Sequence, residues 1–167
     1  MPVIKVADLE FARLQSPDLD VAEQFLTDFG MLSVERTPSA LYMRGTGATH
    51  HIHVTHLGEP GFLGLAFQAA SEEDLQRLAS APGADGIENI DEPGGGKRVR
   101  LTEPNGYQIE IVHGIAAVPP IATKRQKLNT GEDPLLRAGE LMRLPQGPSH
   151  VKRIGHGAMM TPKFRET

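Results

Sequence analysis

The chain has 167 residues, of which 23 % are charged and 39 % hydrophobic, and its formal net charge is −4. It contains no cysteine, which excludes disulfides, thiolate nucleophiles, iron–sulfur clusters and thiolate zinc sites. No apolar run approaches the roughly 18 residues of a membrane span, and the N-terminus lacks the hydrophobic segment of a signal peptide. We therefore expect a cytoplasmic globular protein of one domain, or of two half-domains that share a core.

The charges are distributed unevenly along the chain. Residues 1–113 hold 8 Lys and Arg against 17 Asp and Glu, whereas residues 114–167 hold 9 against 4. The basic residues of the second part are dispersed among Leu, Pro and Gly without interleaved aromatic residues, so the pattern does not favour nucleic acid as a partner. It favours docking of the basic part on the acidic body or on a partner subunit.

A first unit of one strand, one helix and three strands occupies residues 8–56. Residues 8–15 alternate in character and predict a strand. Asp18 is suited to cap the helix that follows, and Gly30 is suited to end it. The apolar residues of this helix recur at helical spacing and are expected to face the core: Leu19, Ala22, Phe25, Leu26 and Phe29. Three short strands are predicted next, at residues 32–36, 40–44 and 50–56.

The same order of elements recurs in the following half of the body. A strand at residues 62–69 precedes a helix that begins at Ser71, with Asp74 at the capping-box position. Three strands follow, around residues 87–90, 97–102 and 107–112. Strand, helix and three strands thus appear twice at a spacing of about fifty residues, which is an internal repeat. The sequence predicts an α+β fold in which two βαβββ modules pair into a curved open mixed barrel, with a concavity between them.

The last strand of the second unit carries a carboxylate at its centre. Residues 104–106, Pro-Asn-Gly, predict a tight turn, after which apolar and polar residues alternate. Glu110 therefore shares one strand face with Gln108 and Val112, opposite the isoleucines. It is either solvated on an outer face or directed into the concave sheet as a ligand or acid–base group. The strand alone favours the solvated position.

Four histidines lie close together in residues 50–56. A regular strand places His51 and His53 on one face, and His50 and His56 on the other. Two histidines at i and i+2 on a strand can share a metal ion. No carboxylate accompanies them nearby, however, which favours hydrated side chains on an outer edge.

The composition and pattern of the sequence change after His113. Consecutive prolines at positions 119 and 120 mark a boundary. Residues 154–162 resemble the opening of the first unit at residues 9–17. We expect a paired-module domain at residues 1–114, a linker at 115–148, and the first strand of an incomplete further module in residues 149–167.

The repeat resembles the vicinal-oxygen-chelate superfamily, which includes glyoxalase I, bleomycin-resistance proteins and type I extradiol dioxygenases. The resemblance rests on Ser-Pro-Asp-Leu-Asp-Val-Ala-Glu-Gln-Phe-Leu at residues 16–26 and on Glu-Pro-Asn-Gly-Tyr-Gln-Ile-Glu at residues 103–110. Residues 8–113 match one paired-module domain. Residues 124–148 and 151–162 are most similar to the linker and the first catalytic-domain strand of the extradiol dioxygenases, which are considerably longer than this chain.

The resemblance also implies where the metal ligands of metal-binding members would stand. A histidine on the first strand, seven positions before the aspartate that opens the helix, corresponds to Phe11. A second ligand, on the first strand of the second module, corresponds to Gly64. The final ligand, a glutamate on the last strand, matches Glu110. Because one ligand of three remains, the resemblance implies that Glu110 is a vestigial metal position and that this chain holds no cofactor of its own.

The same template places His156 at the first ligand position of the incomplete module. Its partners, a second histidine and a glutamate, would lie after Thr167. In the complete extradiol dioxygenases, two histidines and one carboxylate hold iron(II) and leave open positions on the metal. A catecholic substrate chelates the iron there through both oxygens, dioxygen takes the remaining position, and the ring opens beside one hydroxyl-bearing carbon.

The resemblance thus predicts the N-terminal part of an extradiol dioxygenase that cleaves catecholic rings with iron(II) and dioxygen, and that is inactive as this fragment. We also expect a homo-oligomer without nucleic-acid or membrane partners. One alternative is a metal-free small-molecule binding protein of the bleomycin-resistance type, which the aromatic content of 5 % disfavours. The other is a glyoxalase-like enzyme, which Phe11 and Gly64 disfavour.

Overall fold

The computed structural model describes residues 2–123 and 147–166. Its regular elements are β1 Val6–Ser16, α1 Leu19–Phe29, β2 Leu32–Arg36, β3 Ala40–Arg44, β4 His53–Leu57, β5 Gly61–Ala69, α2 Glu72–Ala79, β6 Glu88–Asn89, β7 Lys97–Thr102 and β8 Gln108–His113. The strands form one open mixed sheet of eight strands in the order β2-β3-β4-β1-β5-β8-β7-β6. The predicted α+β fold of two βαβββ modules is confirmed.

The two modules meet at the centre of this sheet, where β1 pairs antiparallel with β5. Within each module the first strand also pairs parallel with the last, β1 with β4 and β5 with β8. These four strands therefore lie side by side, and they carry the positions for which the sequence predicted metal ligands. The predicted bounds of β2, β3 and β7 agree with the structure, whereas β4 begins only at His53.

Helix α1 begins and ends as its sequence predicts. The Asp18 carboxylate accepts hydrogen bonds from the backbone amides of Asp20 at 2.8 Å and Val21 at 3.0 Å, which satisfies donors that a helix start leaves open. Gly30 ends the helix with φ of 109°, a conformation that glycine adopts without a Cβ penalty. The buried side of the helix packs Leu19 and Leu26 against β3.

The core assignment for the outer part of this helix is wrong. Phe25 and Phe29 were expected in the core, but they are 65 % and 57 % exposed, and their rings stack on each other at 6.4 Å. Leu19 and Leu26, with Ala22 partly buried beside them, pack on Leu41 and Met43 of β3, whereas Phe25 and Phe29 are not part of this cluster. Residues displaced from the line of contact therefore remain outside, although their spacing is helical.

Among the described residues, three hydrophobic clusters form the interior. One lies under α1, and a second lies under α2, where Leu75 and Leu78 pack against Val99 and Ile111. The third fills the concave face of the sheet and takes residues from both modules: Phe11, Ala40, Tyr42, Val54, Ala66, Ile90 and Val112. The concavity between the modules is therefore a packed interior.

The predicted strand in residues 149–162 is not formed, because residues 147–166 contain no strand or helix. The extended backbone of this segment instead bonds to the loop between β3 and β4. The amides of Thr46 and Gly47 donate to the carbonyls of Val151 and Lys152, at 2.7 and 3.0 Å. Residues 124–146 of the predicted linker lie outside the described residues, and the domain limits at 114 and 148 stay a prediction. Across residues 2–123 and 147–166, no helix is long and apolar enough to cross a membrane.

Candidate functional site

The predicted ligand positions lie on adjacent central strands, but two of them offer no metal ligand. Phe11 on β1 is 2 % exposed, and its ring contributes to the concave cluster. A Cβ atom at Gly64 on β5 would lie 1.8 Å from the carbonyl oxygen of Gln108 on β8. That position therefore has no room for a histidine, because the neighbouring strand occupies the space.

Glu110 on β8 points into the concavity and is 2 % exposed. Its carboxylate accepts hydrogen bonds from Arg13 Nε at 2.6 Å, from Arg13 Nη2 at 3.3 Å and from Arg98 Nη1 at 3.1 Å. The solvated position that the strand pattern alone favoured is wrong. Arg13, which lies on β1 of the other module, supplies the countercharge that makes burial of this carboxylate tolerable.

A second carboxylate completes the arrangement from the loop between β6 and β7. Glu92 accepts hydrogen bonds from Arg13 Nη1 at 3.0 Å and from Arg98 Nη1 at 2.6 Å, and the hydroxyl of Tyr42 donates to it at 3.3 Å. Arg98 also pairs with Glu88 on β6. We refer to Arg13, Glu92, Arg98 and Glu110 as the charge cluster. Its two guanidinium groups and two carboxylates balance.

The pairing outweighs the cost of burial for both signs of charge. Burial alone would raise the pKa of Glu92, but the guanidinium groups of Arg13 and Arg98 lower it to about 2. Burial would lower the pKa of Arg13, yet the carboxylates of Glu110 and Glu92 raise it. Glu92 and the arginines of the cluster therefore stay charged at neutral pH.

Histidines line the same concavity and do so as neutral groups. His51 is 3 % exposed, and its ring lies 4.7 Å from that of Phe11 and 5.3 Å from that of Tyr42, measured between centroids. Burial, and then the charges of His50 and Arg13, lower the pKa of His51 to about 3. The His56 Nε2 atom lies 2.6 Å from Arg13 Nη1, and burial followed by the charge of Arg13 lowers its pKa.

The predicted pairing of histidines on strand faces is wrong, as is the hydrated edge position for His51. Residues 50–52 precede β4 and do not alternate as a strand, so His51 enters the concavity. His53 instead has its Nε2 atom 2.9 Å from Thr55 Oγ1, and burial lowers its pKa to about 4. In the part of the chain that the structure describes, no group of three or more His, Asp or Glu residues could hold a metal ion.

The residues at the three ligand positions that the resemblance implies do not fit an iron(II) centre. Phe11 and Gly64 supply no donor atom, and the carboxylate of Glu110 is already bonded to two guanidinium groups. A positive charge within hydrogen-bond distance of that carboxylate also opposes the binding of a cation there.

His156, the ligand predicted for the further module, is exposed and lies in the segment that contacts the β3–β4 loop. The structure does not bring it to the charge cluster. Its role as a metal ligand stays a prediction.

Sequence reasoning missed Arg13, Glu92 and Arg98. A usable signal exists for the two arginines. Arg13 follows Phe11 at the i+2 position on a half-buried strand, and Arg98 is separated from Arg100 by the apolar Val99. Cations spaced by two along a strand place several charges on one face of a sheet, and a facing carboxylate such as Glu110 is their natural partner.

Comparison with known proteins follows this geometry. No family model matches the chain. It is 29 % identical over 133 residues to metapyrocatechase of Geobacillus stearothermophilus, a match that covers 76 % of this chain and 41 % of that protein. The Mn(II)-bound glyoxalase from Novosphingobium aromaticivorans superimposes with a TM-score of 0.67 at 22 % identity, covering 73 % of this chain and 44 % of the other. The chain has the vicinal-oxygen-chelate fold.

Homoprotocatechuate 2,3-dioxygenase from Brevibacterium fuscum, in its complex with 3,4-dihydroxyphenylacetate, has the same fold. It superimposes on this chain with a TM-score of 0.61 at 21 % identity, covering 72 % of this chain and 41 % of the other. The predicted resemblance to this superfamily is confirmed. The chain spans less than half the length of these three relatives.

Proposed function

We propose that this vicinal-oxygen-chelate domain is the non-catalytic N-terminal part of an extradiol dioxygenase that cleaves catecholic rings with iron(II) and dioxygen. The similarity to metapyrocatechase over 76 % of the chain supports the enzyme class. The charge cluster carries the assignment of a non-catalytic role. Glu110 is engaged by Arg13 and Arg98 where a catalytic domain would present its carboxylate to the metal.

The role of the charge cluster is to hold the two modules together. Arg13 belongs to the first module, whereas Glu92 and Glu110 belong to the second, so each of these contacts crosses the module boundary. No step of ring cleavage is assigned to these residues. The metal centre of the enzyme is expected in the further module, with His156 as its first ligand.

The decisive experiment compares this chain with the protein encoded when its gene is read past Thr167. Each is loaded with iron(II) without oxygen, and ring cleavage of catechol and 3,4-dihydroxyphenylacetate is then followed by product absorbance. We expect the longer protein to bind one iron and turn over, and the 167-residue chain to do neither. Sustained turnover by the 167 residues, or one tightly bound metal ion per chain, would overturn the proposal.

Two substitutions in the longer protein separate the roles of the candidate residues. His156→Ala is expected to abolish both iron binding and ring cleavage, because it removes a ligand. Glu110→Gln is expected to leave the iron content unchanged and to lower only the stability of the protein. Loss of iron in the Glu110→Gln variant would assign the metal to the N-terminal domain.

The interior of the domain disfavours the metal-free binding protein. A ligand of that class would occupy the concavity between the modules, which Phe11, Ile90 and the charge cluster fill. Calorimetric titration with cationic aromatic compounds tests this alternative, and saturable binding at one site per chain would support it.

An exposed apolar stripe supports the proposal of a homo-oligomer. Val21, Phe25 and Phe29 recur at i, i+4 and i+8 on α1 and are 64 %, 65 % and 57 % exposed, and Leu32 beside them is 40 % exposed. Contiguous exposed apolar residues of this kind are characteristic of interaction surfaces. A second copy of the chain is the partner that we propose for the stripe.

A further inference from the structure

The segment 149–157, which we call the strap, lies as an extended peptide on the first module. Thr46 N donates to Val151 O at 2.7 Å, and Gly47 N donates to Lys152 O at 3.0 Å. Val151 N donates to Gly30 O at 3.4 Å. The strap is thus held mainly through its backbone, in the manner of a peptide added to an open edge.

Three glycines of the first module allow the backbone of the strap to come very close. A Cβ atom at Gly30 would lie 1.9 Å from Ser149 O, one at Gly45 would lie 2.4 Å from Lys152 O, and one at Gly47 would lie 2.8 Å from Lys152 O. These separations are far shorter than a van der Waals contact, and the atoms that would be met are backbone atoms. Any other residue at these positions would push the strap away.

The loop between β3 and β4 is held from its other side as well. Thr46 O accepts from Ile121 N at 2.9 Å, and Ala48 O accepts from Val118 N at 2.9 Å. Backbone groups of Thr46, Gly47 and Ala48 are thereby bonded to two separate stretches of chain that follow β8. Such pairing accounts for how the polar backbone of a close-packed loop is tolerated.

The strap then passes from the first module to the second. Arg153 Nη1 lies 3.4 Å from the carboxylate of Asp8 at the start of β1. Further along, Gly157 approaches Leu65 of β5 so closely that a Cβ atom there would lie 2.9 Å from Leu65 Cδ1. Beyond the strap, Lys163 Nζ donates to the carbonyl of Pro104 in the β7–β8 turn at 2.7 Å.

We propose that Gly30, Gly45 and Gly47 form a docking groove for the strap, and that the lack of side chains at these positions is what keeps residues 149–157 docked on the first module. The occupant is the chain's own segment 149–157. Tethering to the same chain gives it a high effective concentration, so modest backbone contacts suffice to hold it.

Amide hydrogen exchange of the intact chain, resolved by residue, tests the docking. In the unsubstituted protein, Thr46 and Gly47 are expected to be protected, because their amides donate to the strap. Gly45→Ala and, separately, Gly47→Ala are expected to speed exchange at both amides by about tenfold or more, since the added methyl group collides with Lys152 O. Protection at Met43 inside β3 should not change.

Gly86→Ala is the matched control, because nothing lies within 4 Å of a Cβ atom there. It should leave exchange at Thr46 and Gly47 unaltered. Trypsin cleavage after Lys152 and Arg153 should accelerate in the Gly45→Ala and Gly47→Ala variants and not in the control. Rapid exchange of Thr46 and Gly47 in the unsubstituted chain would overturn the proposal, even if both loop variants failed to fold, as would unchanged protection in folded variants.

Discussion

The concave and convex faces of the sheet join the same two modules by different means. On the concave face, a single hydrophobic cluster draws on both modules, and Arg13 of the first binds Glu92 and Glu110 of the second. On the convex face, each helix packs over its own cluster, and the strap passes between the modules. Side-chain charges thus link the modules inside the concavity, whereas the backbone of the strap bonds to the first module on the outside.

The largest loss of stability is expected when the Arg13 side chain, which pairs with two carboxylates of the other module, is removed. Arg13→Ala leaves Glu110 and Glu92 buried with fewer counterions, and breaking a buried pair in this way costs about 3–5 kcal/mol. Urea unfolding measures the loss. Arg36→Ala is the control, since Arg36 pairs with Glu23 and Asp20 on the exposed surface of one module and its removal should cost far less. Equal losses in the two variants would contradict the role of the charge cluster.

Replacing both partners of the ion pair separates the cost of an unpaired buried charge from the contribution of the pair. In Arg13→Met with Glu110→Met, no unpaired charge replaces the ion pair, while Arg98 and Glu92 remain bonded. Apolar replacement of a buried pair is often neutral, so this double variant should be clearly more stable than Arg13→Ala. A double variant as unstable as the single one would show that the pair itself stabilises the fold.

The next-largest effect is a loss of folding stability at low pH, to which the buried histidines contribute. The pKa values of His51 and His53 in the folded state are lowered to about 3 and about 4, so the unfolded chain binds protons first as the pH falls. Their contribution is fully present above pH 6.5 and is lost below it, by up to about 1.4 kcal/mol per pH unit for each histidine. Glu92, whose folded pKa is about 2, adds a loss below pH 4.5.

Unfolding curves recorded between pH 7 and pH 4 test this dependence. His51→Phe keeps a ring between Phe11 and Tyr42. It should reduce the dependence of the unfolding free energy on pH by the contribution of one histidine. His150→Gln, at an exposed position, should leave it unchanged. A His51→Phe variant with the slope of the unsubstituted chain would contradict the neutral, buried state of His51.

The smallest effect on stability, with a separate readout, is expected on the convex face. Phe25→Glu with Phe29→Glu should lower the molar mass measured by light scattering to that of one chain. It should change the unfolding free energy little, because both rings are already exposed. Val3→Glu, at another exposed apolar position, serves as the control. An unchanged molar mass in the double variant would show that the interface between chains does not include this face of α1.

The success of the sequence-based predictions depended on the range of the interactions involved. The side chains of Asp18 and Ser71 accept from nearby backbone amides, and the Gly30 amide donates to carbonyls of the preceding turn, so the helix limits could be predicted. The repeat of two modules was predicted because each module has its own strands of alternating apolar and polar residues and its own helix-capping residues. The exposure of Phe25 and Phe29 could not be predicted, because helical spacing does not state how wide a surface the sheet offers.

By itself, the sequence determined the elements of the two modules, their order, and the resemblance that leads to the vicinal-oxygen-chelate fold, because these follow from local periodicity and short motifs. Only the tertiary structure decided what Glu110 binds, since Arg13 is 97 residues away along the chain. It likewise decided that His51 is buried and that residues 149–157 lie as a strap on glycine-lined loops. Each depends on contacts between distant segments, and burial and countercharge come into being only when the sheet brings those segments together.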